Sequence, residues 1–164
     1  MNPKIITIVG KSNSGKTTLL EKLIALLTDK GYKIGSVKHA HDGFEMDKEG
    51  KDSFRHRKAG ASATLVISEN KIAMIKDDTT NYIEKMQSYL SGMDIILAEG
   101  FKKQALPKIE VFRIDSGHKE PLCMKDENLI AFVTDSDYKP DRPVFGLEEI
   151  NQIADFIEFN YLTN

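Results

Sequence analysis

Eight residues near the start of the chain carry the strongest chemical signal. Gly10-Lys11-Ser12-Asn13-Ser14-Gly15-Lys16-Thr17 reads G-x-x-x-x-G-K-T, the phosphate-cradling P-loop or Walker A pattern. Two glycines let the backbone turn left-handed and aim successive N–H groups at phosphate oxygens. A helix opening near Lys16 would point its positive dipole end the same way. Lys16 then reaches the β- and γ-phosphates, and the Thr17 hydroxyl is a ligand for Mg²⁺. A Lys-Thr pair has no structural purpose in an ordinary strand–helix turn.

Such a loop needs a carboxylate at the end of a neighbouring strand to hold Mg²⁺ or its water. Met93-Asp94-Ile95-Ile96-Leu97-Ala98-Glu99 offers two. In a parallel strand Asp94 falls at the far end and Glu99 at the loop end, so Glu99 is the expected partner. The polar stretch 39–52 supplies Asp42, Asp47 and Asp52, and spacing does not choose among them. His39-x-His41 in the same stretch reads as polar loop or substrate contact rather than a transition-metal site. Lys11, at the second loop position, lacks the double glycine that accompanies a trans-acting lysine and reads as a solvated side chain. For the base, Asn70-Lys71-Ile72-Ala73 starts like N-K-x-D but has Ala73 where the acid belongs. Asp135, in Thr134-Asp135-Ser136-Asp137 after a late strand, is better placed.

The elements that must position these groups are legible in the hydrophobic pattern. Residues 5–9 are apolar and β-branched, and Leu20, Leu23, Ile24 and Leu27 follow at helical spacing. Residues 33–38 form a second strand, and a right-handed crossover makes it parallel to the first. Ser53 is expected to cap a short helix over 54–58. Segments 63–67 and 71–75 read as a hairpin, 80–90 as a helix, and 94–98, 108–114, 129–133 and 143–145 as strands. A closing helix spans 147–161. The fold expected is an α/β P-loop NTPase three-layer sandwich, with a mainly parallel sheet and an antiparallel hairpin.

The 164 residues fit one domain, taken as 1–164, with 40% hydrophobic and 29% charged residues. A net charge of −2 gives no reason to expect nucleic acid or an anionic membrane as partner. A single cysteine, Cys123, and the lack of a long apolar run or signal-like start point to the cytoplasm. Cys123 lies in a charged stretch and reads as an incidental thiol.

Several blocks in order resemble the molybdopterin-guanine dinucleotide biosynthesis adapter family, MobB: N-S-G-K-T-T-L-L (13–20), K-H-A-H-D (38–42), D-K-E-G-K-D-S (47–53), R-K-A-G-A (57–61), D-I-I-L-A-E-G-F-K (94–102) and I-A-F-V-T-D (130–135). The resemblance implies a homodimeric GTP-binding protein with weak Mg²⁺-dependent hydrolysis. It also implies a partner, the MobA-type guanylyltransferase that attaches GMP to molybdopterin. Nucleotide contacts are expected at Gly10, Asn13 and Ser14 of the loop; the likeness carries over Gly15, Lys16, Thr17 and Thr18 there, His39 and Gly50-Lys51-Asp52-Ser53 near the phosphates, and Asp47 and Glu99 as the acids near Mg²⁺, with Thr17 as its hydroxyl ligand. Lys16, Asp47 and Glu99 form the expected catalytic set. No arginine finger is evident, since Arg55 and Arg57 fit a solvated helix face. Two other readings are a small-molecule P-loop kinase and a non-catalytic nucleotide-gated binding module.

Overall fold

The computed structural model describes residues 2–40 and 43–163. In chain order the elements are β1 (Lys4–Val9), α1 (Lys16–Asp29), β2 (Ile34–Lys38), α2 (Asp52–Lys58), β3 (Ala63–Ile67), β4 (Ile72–Lys76), α3 (Tyr82–Tyr89), β5 (Ile95–Glu99), β6 (Lys108–Phe112), β7 (Leu129–Thr134), β8 (Val144–Phe145) and α4 (Ile150–Ile157). The chain divides into two compact units, residues 1–39 with 85–164 and residues 40–84.

The larger unit is built on a six-stranded sheet in the order β2-β5-β1-β6-β7-β8, every pair parallel. Parallel neighbours need crossovers, which the intervening helices and loops supply. One sheet face presents Ile6, Ile8, Ile95, Leu97, Ile109 and Val111 to α1 and α4, whose Leu23, Leu27, Ile153 and Ile157 complete a dry core. On the opposite face Met86 of α3 is buried, and Gly35 lies so close to Leu90 and Met93 that a Cβ there would sit 3.0–3.1 Å from both. Asn81 caps α3 by accepting a hydrogen bond from Glu84 N–H at 2.9 Å.

Strand β6 has no solvent-facing side, because all five of its residues are buried. The 113–128 connection covers the polar face. Lys108 Nζ donates to Gln104 O at 2.7 Å and pairs with Asp126 at 3.1 Å. Glu110 accepts from the backbone N–H groups of Leu122 and Cys123, the latter at 2.8 Å. Cys123 is therefore packed against Val9 and Leu129 instead of lying in an open charged loop. The strand ends two residues earlier than expected, where Arg113 leads into a 3₁₀ turn over Ile114–Ser116.

The smaller unit holds α2 and the antiparallel pair β3–β4, which forms its own two-stranded sheet. Helix α2 starts one residue before the expected cap. Ser53 is inside it, and its hydroxyl donates to Asp47 at 2.9 Å. The hairpin closes through Ser68 N–H to Lys71 O at 2.8 Å.

Candidate functional site: a phosphate loop and its carboxylate

Strand register brings the first chemical groups together. Ile8 of β1 lies opposite Glu99 of β5, and Glu99 lies opposite Lys38 of β2. The ends of β1, β5 and β2 therefore converge where the P-loop leaves Val9. Gly100 N–H donates to Ile8 O and His39 N–H to Glu99 O, each at 3.0 Å, tying the three ends.

The loop has the backbone its glycines allow. Gly10 has φ +150°, and a Cβ there would lie 2.4 Å from Val111 O and 2.6 Å from Ser14 Oγ. Gly15 is the residue before α1, with φ +96°, and Asn13 also sits left-handed at φ +61°. No acidic side chain occupies the first turn of this 14-residue helix, so its positive end is not offset by a carboxylate from within the helix. Ser14 is 1% exposed, and its Oγ makes no hydrogen bond among the described residues. A buried, unsatisfied hydroxyl in a ring of turned N–H groups suits an anionic oxygen.

Lys16 Nζ donates to Lys11 O at 2.6 Å, so the ammonium lies across the loop. Burial lowers its pKa, the Glu99 carboxylate opposes that, and the Lys38 and Lys102 cations reinforce it. Thr17 Oγ1 donates to Glu99 Oε2 at 2.9 Å. Glu99 also faces Lys38 Nζ at 3.8 Å and is largely buried. A hydroxyl and a carboxylate at hydrogen-bond distance are hard oxygen donors that fit Mg²⁺, which keeps most of its waters. Among the described residues there is no group of three or more His, Cys, Asp or Glu side chains that could hold a metal ion.

The Glu-Gly-Phe corner after β5 is shaped for this junction. Gly100 has φ +98°, and a Cβ there would meet His39 Cβ at 3.0 Å. Phe101 holds φ +58°, a strained conformation for an aromatic residue, and is buried with its ring 4.7 Å from that of His39. His39 is thus an aromatic neighbour of the corner carrying Glu99.

Asp47 belongs to the smaller unit. Its side chain is 7% exposed, accepts from Lys48 N–H and the Ser53 hydroxyl, and pairs with Arg57 at 3.4 Å. Those contacts fix the loop entering α2. Asp52 pairs with Arg55 at 3.6 Å on the surface, and His41 and Asp42 lie outside the described residues. Asp135 follows β7, where its carboxylate accepts from Ile114 N–H at 2.8 Å.

Beside the phosphate loop lies a cavity of about 130 Å³ that shares Ser14, Gly15 and Thr18 with it. Lys22, Arg113 and Glu148 also line it, and sequence reading singled out none of them. Lys22 had a signal, one turn beyond Thr18 on the same helix. Arg113 and Glu148 had none, because only the sheet brings their segments to α1.

The family described as MobB, molybdopterin guanine dinucleotide synthesis protein B, matches residues 5–135. The chain belongs to the MobB family. It is 35% identical over 158 residues, 93% of this chain and 90% of the relative, to the molybdopterin-guanine dinucleotide biosynthesis adapter protein of Escherichia coli (strain K12). The protein of that name from Haemophilus influenzae is 37% identical, over 94% of this chain and 87% of its own. Bacillus subtilis MobB, solved by crystallography, superposes with a TM-score of 0.77 at 25% identity, covering 98% of this chain and 99% of that one. The P-loop NTPase-like sandwich is thus the MobB fold. The matched segment runs from β1 to Asp135 and so includes the loop and Glu99, while Glu148 lies beyond it.

Proposed function

We propose that this chain is an adapter in molybdopterin guanine dinucleotide biosynthesis that binds GTP with Mg²⁺ and hydrolyses it slowly. Family membership and the names of the two bacterial relatives support the adapter role. The observation that carries nucleotide binding is the 2.9 Å contact of Thr17 with Glu99 beside Lys16, at a glycine-turned helix start. Thr17 and Glu99 would hold Mg²⁺, which would supply neutralisation of the charge that develops in phosphoryl transfer. In hydrolysis, a water oxygen bonds to the γ-phosphorus as the bond to the β–γ bridging oxygen breaks. The Lys16 ammonium meets the charge that develops. Turnover below roughly 1 s⁻¹ without a partner is expected.

The adapter works with a MobA-type guanylyltransferase, the enzyme acting on molybdopterin, and does so as a homodimer. The hairpin supports self-association, because Leu65, Val66, Ile67, Ile72 and Met74 are exposed on one small sheet. Apolar surface of that kind marks protein contacts. Among the described residues no helix is long and apolar enough to cross a membrane.

Calorimetric titration with GTP and with ATP, each with and without Mg²⁺, tests the reading. GTP binding strengthened by Mg²⁺ is expected; no binding of either nucleotide refutes it. Sedimentation of the parent and of an Ile67→Lys variant tests the dimer, with a shift to monomer expected in the variant.

A further inference from the structure

The cavity beside the phosphate loop differs in character from the loop itself. Leu19, Val111, Val133, Leu147 and Ile150 give it apolar walls. Its charged groups are cationic Lys22 and Arg113 and one carboxylate, Glu148, whose Oε2 accepts from Lys22 Nζ at 2.7 Å. At about 130 Å³ it is smaller than the roughly 300 Å³ that a whole small-molecule site needs, so it suits one part of a ligand. The shared Ser14, Gly15 and Thr18 make it the continuation of the phosphate site, and the buried Ser14 hydroxyl has no other partner among the described residues.

We infer that this cavity takes the purine ring of the nucleotide and that Glu148 makes the site guanine-specific. The inference rests on the nucleotide-binding reading above. Apolar side chains among the lining residues suit a planar ring. A carboxylate is acceptor-only and can take two adjacent N–H groups. Guanine offers that pair, N1–H and the 2-amino group, whereas the corresponding edge of adenine offers an acceptor and a C–H. The cations suit the O6 and N7 acceptors of guanine, the commonest pairing of Lys and Arg with that base. The Lys22–Glu148 pair is an exposed one, with side chains 41% and 83% accessible, and exposed pairs contribute little to folding. Both groups are therefore available to a base without loss of the scaffold. Lys22 holds the Glu148 carboxyl below its ordinary pKa, with help from Arg113, keeping it an acceptor.

The test is competitive binding of GTP, ATP, xanthosine triphosphate and inorganic tripolyphosphate to the parent chain, Glu148→Gln and Lys22→Met. Tripolyphosphate has no base and reads the loop alone. Glutamine presents one acceptor and one donor, which match xanthine N1–H and O2. The parent is expected to prefer GTP. Glu148→Gln is expected to lose roughly 5- to 150-fold in GTP affinity, to gain for xanthosine triphosphate, and to keep its tripolyphosphate affinity. Lys22→Met, which breaks the same ion pair but keeps the carboxylate, weakens all three base-bearing ligands and keeps the preference for GTP. A parent that binds tripolyphosphate yet does not distinguish the bases overturns the inference and leaves the phosphate site standing. So does a Glu148→Gln variant with unaltered preference. If no triphosphate binds the parent, the nucleotide reading falls and takes this inference with it.

Discussion

Two glycines in one loop should respond very differently to the same methyl group. At Gly10 an added Cβ would lie 2.4 Å from Val111 O and 2.6 Å from Ser14 Oγ. The first is a backbone atom of β6, whose pairing with β1 runs through Val9 and Glu110. No rotamer change relieves that clash, so Gly10→Ala must pry the end of β1 from β6. Overpacking of this kind costs about 1–3 kcal/mol, and left-handed backbone adds about 1–2 kcal/mol for a residue with a Cβ. At Gly15 nothing lies within 4 Å of the built Cβ, and φ is +96°. Gly15→Ala therefore meets only the backbone term, about 1–2 kcal/mol. The stiffer unfolded chain offsets about 0.4–1 kcal/mol in both variants and cancels in their difference. Gly10→Ala should be the less stable by about 1–3 kcal/mol. Urea unfolding followed by far-UV circular dichroism measures it, since the chain has no tryptophan. Equal midpoints with equal slopes would refute the steric reasoning.

Lys16→Met removes the ammonium but only one hydrogen bond of the fold, that to Lys11 O. GTP affinity should drop by about 10²-fold or more, from charge-assisted bonds worth about 1.5–3 kcal/mol each, with the unfolding midpoint nearly unmoved. Glu99→Gln should weaken the Mg²⁺ dependence of GTP binding, read as a smaller ratio between titrations with and without the metal. Glu110→Gln places an amide NH₂ against a backbone N–H of Leu122 or Cys123, and should destabilise the chain by about 1–3 kcal/mol and hasten labelling of Cys123 by a thiol reagent. Burial first, then the Glu110 and Asp126 charges, raise the Cys123 thiol from 9.0 to about 11. The folded chain thus holds this proton more tightly than the unfolded one, a contribution fully present below pH 9 and lost as pH rises to about 11. Stability should fall as pH rises across that window, and Cys123→Ala should abolish this part of the alkaline loss.

Local chemistry was sufficient to read the glycine-rich loop, the helix behind it and the succession of strands along the chain, though not their order in the sheet. Each is encoded over a few consecutive residues: glycines that permit turned backbone, β-branched runs, and leucines at a period of 3.6. Glu99 was legible for the same reason, because strand direction alone puts it at the loop end. The burial of Lys108 and Glu110 was not legible. Their burial depends on the connection over 113–128, which is remote in sequence from β6 and meets them with backbone amides and Asp126. Ser53 looked like a helix cap, and only the folded loop shows its hydroxyl spent on Asp47. The cavity depends most fully on tertiary structure. Thr18, Arg113 and Glu148 are distant in sequence, and they line one space only because the parallel sheet sets the ends of β6 and β7 beside the start of α1. The sequence alone determined the glycine-turned loop between β1 and α1; strand pairing over long range decided which side chains surround the cavity beside it.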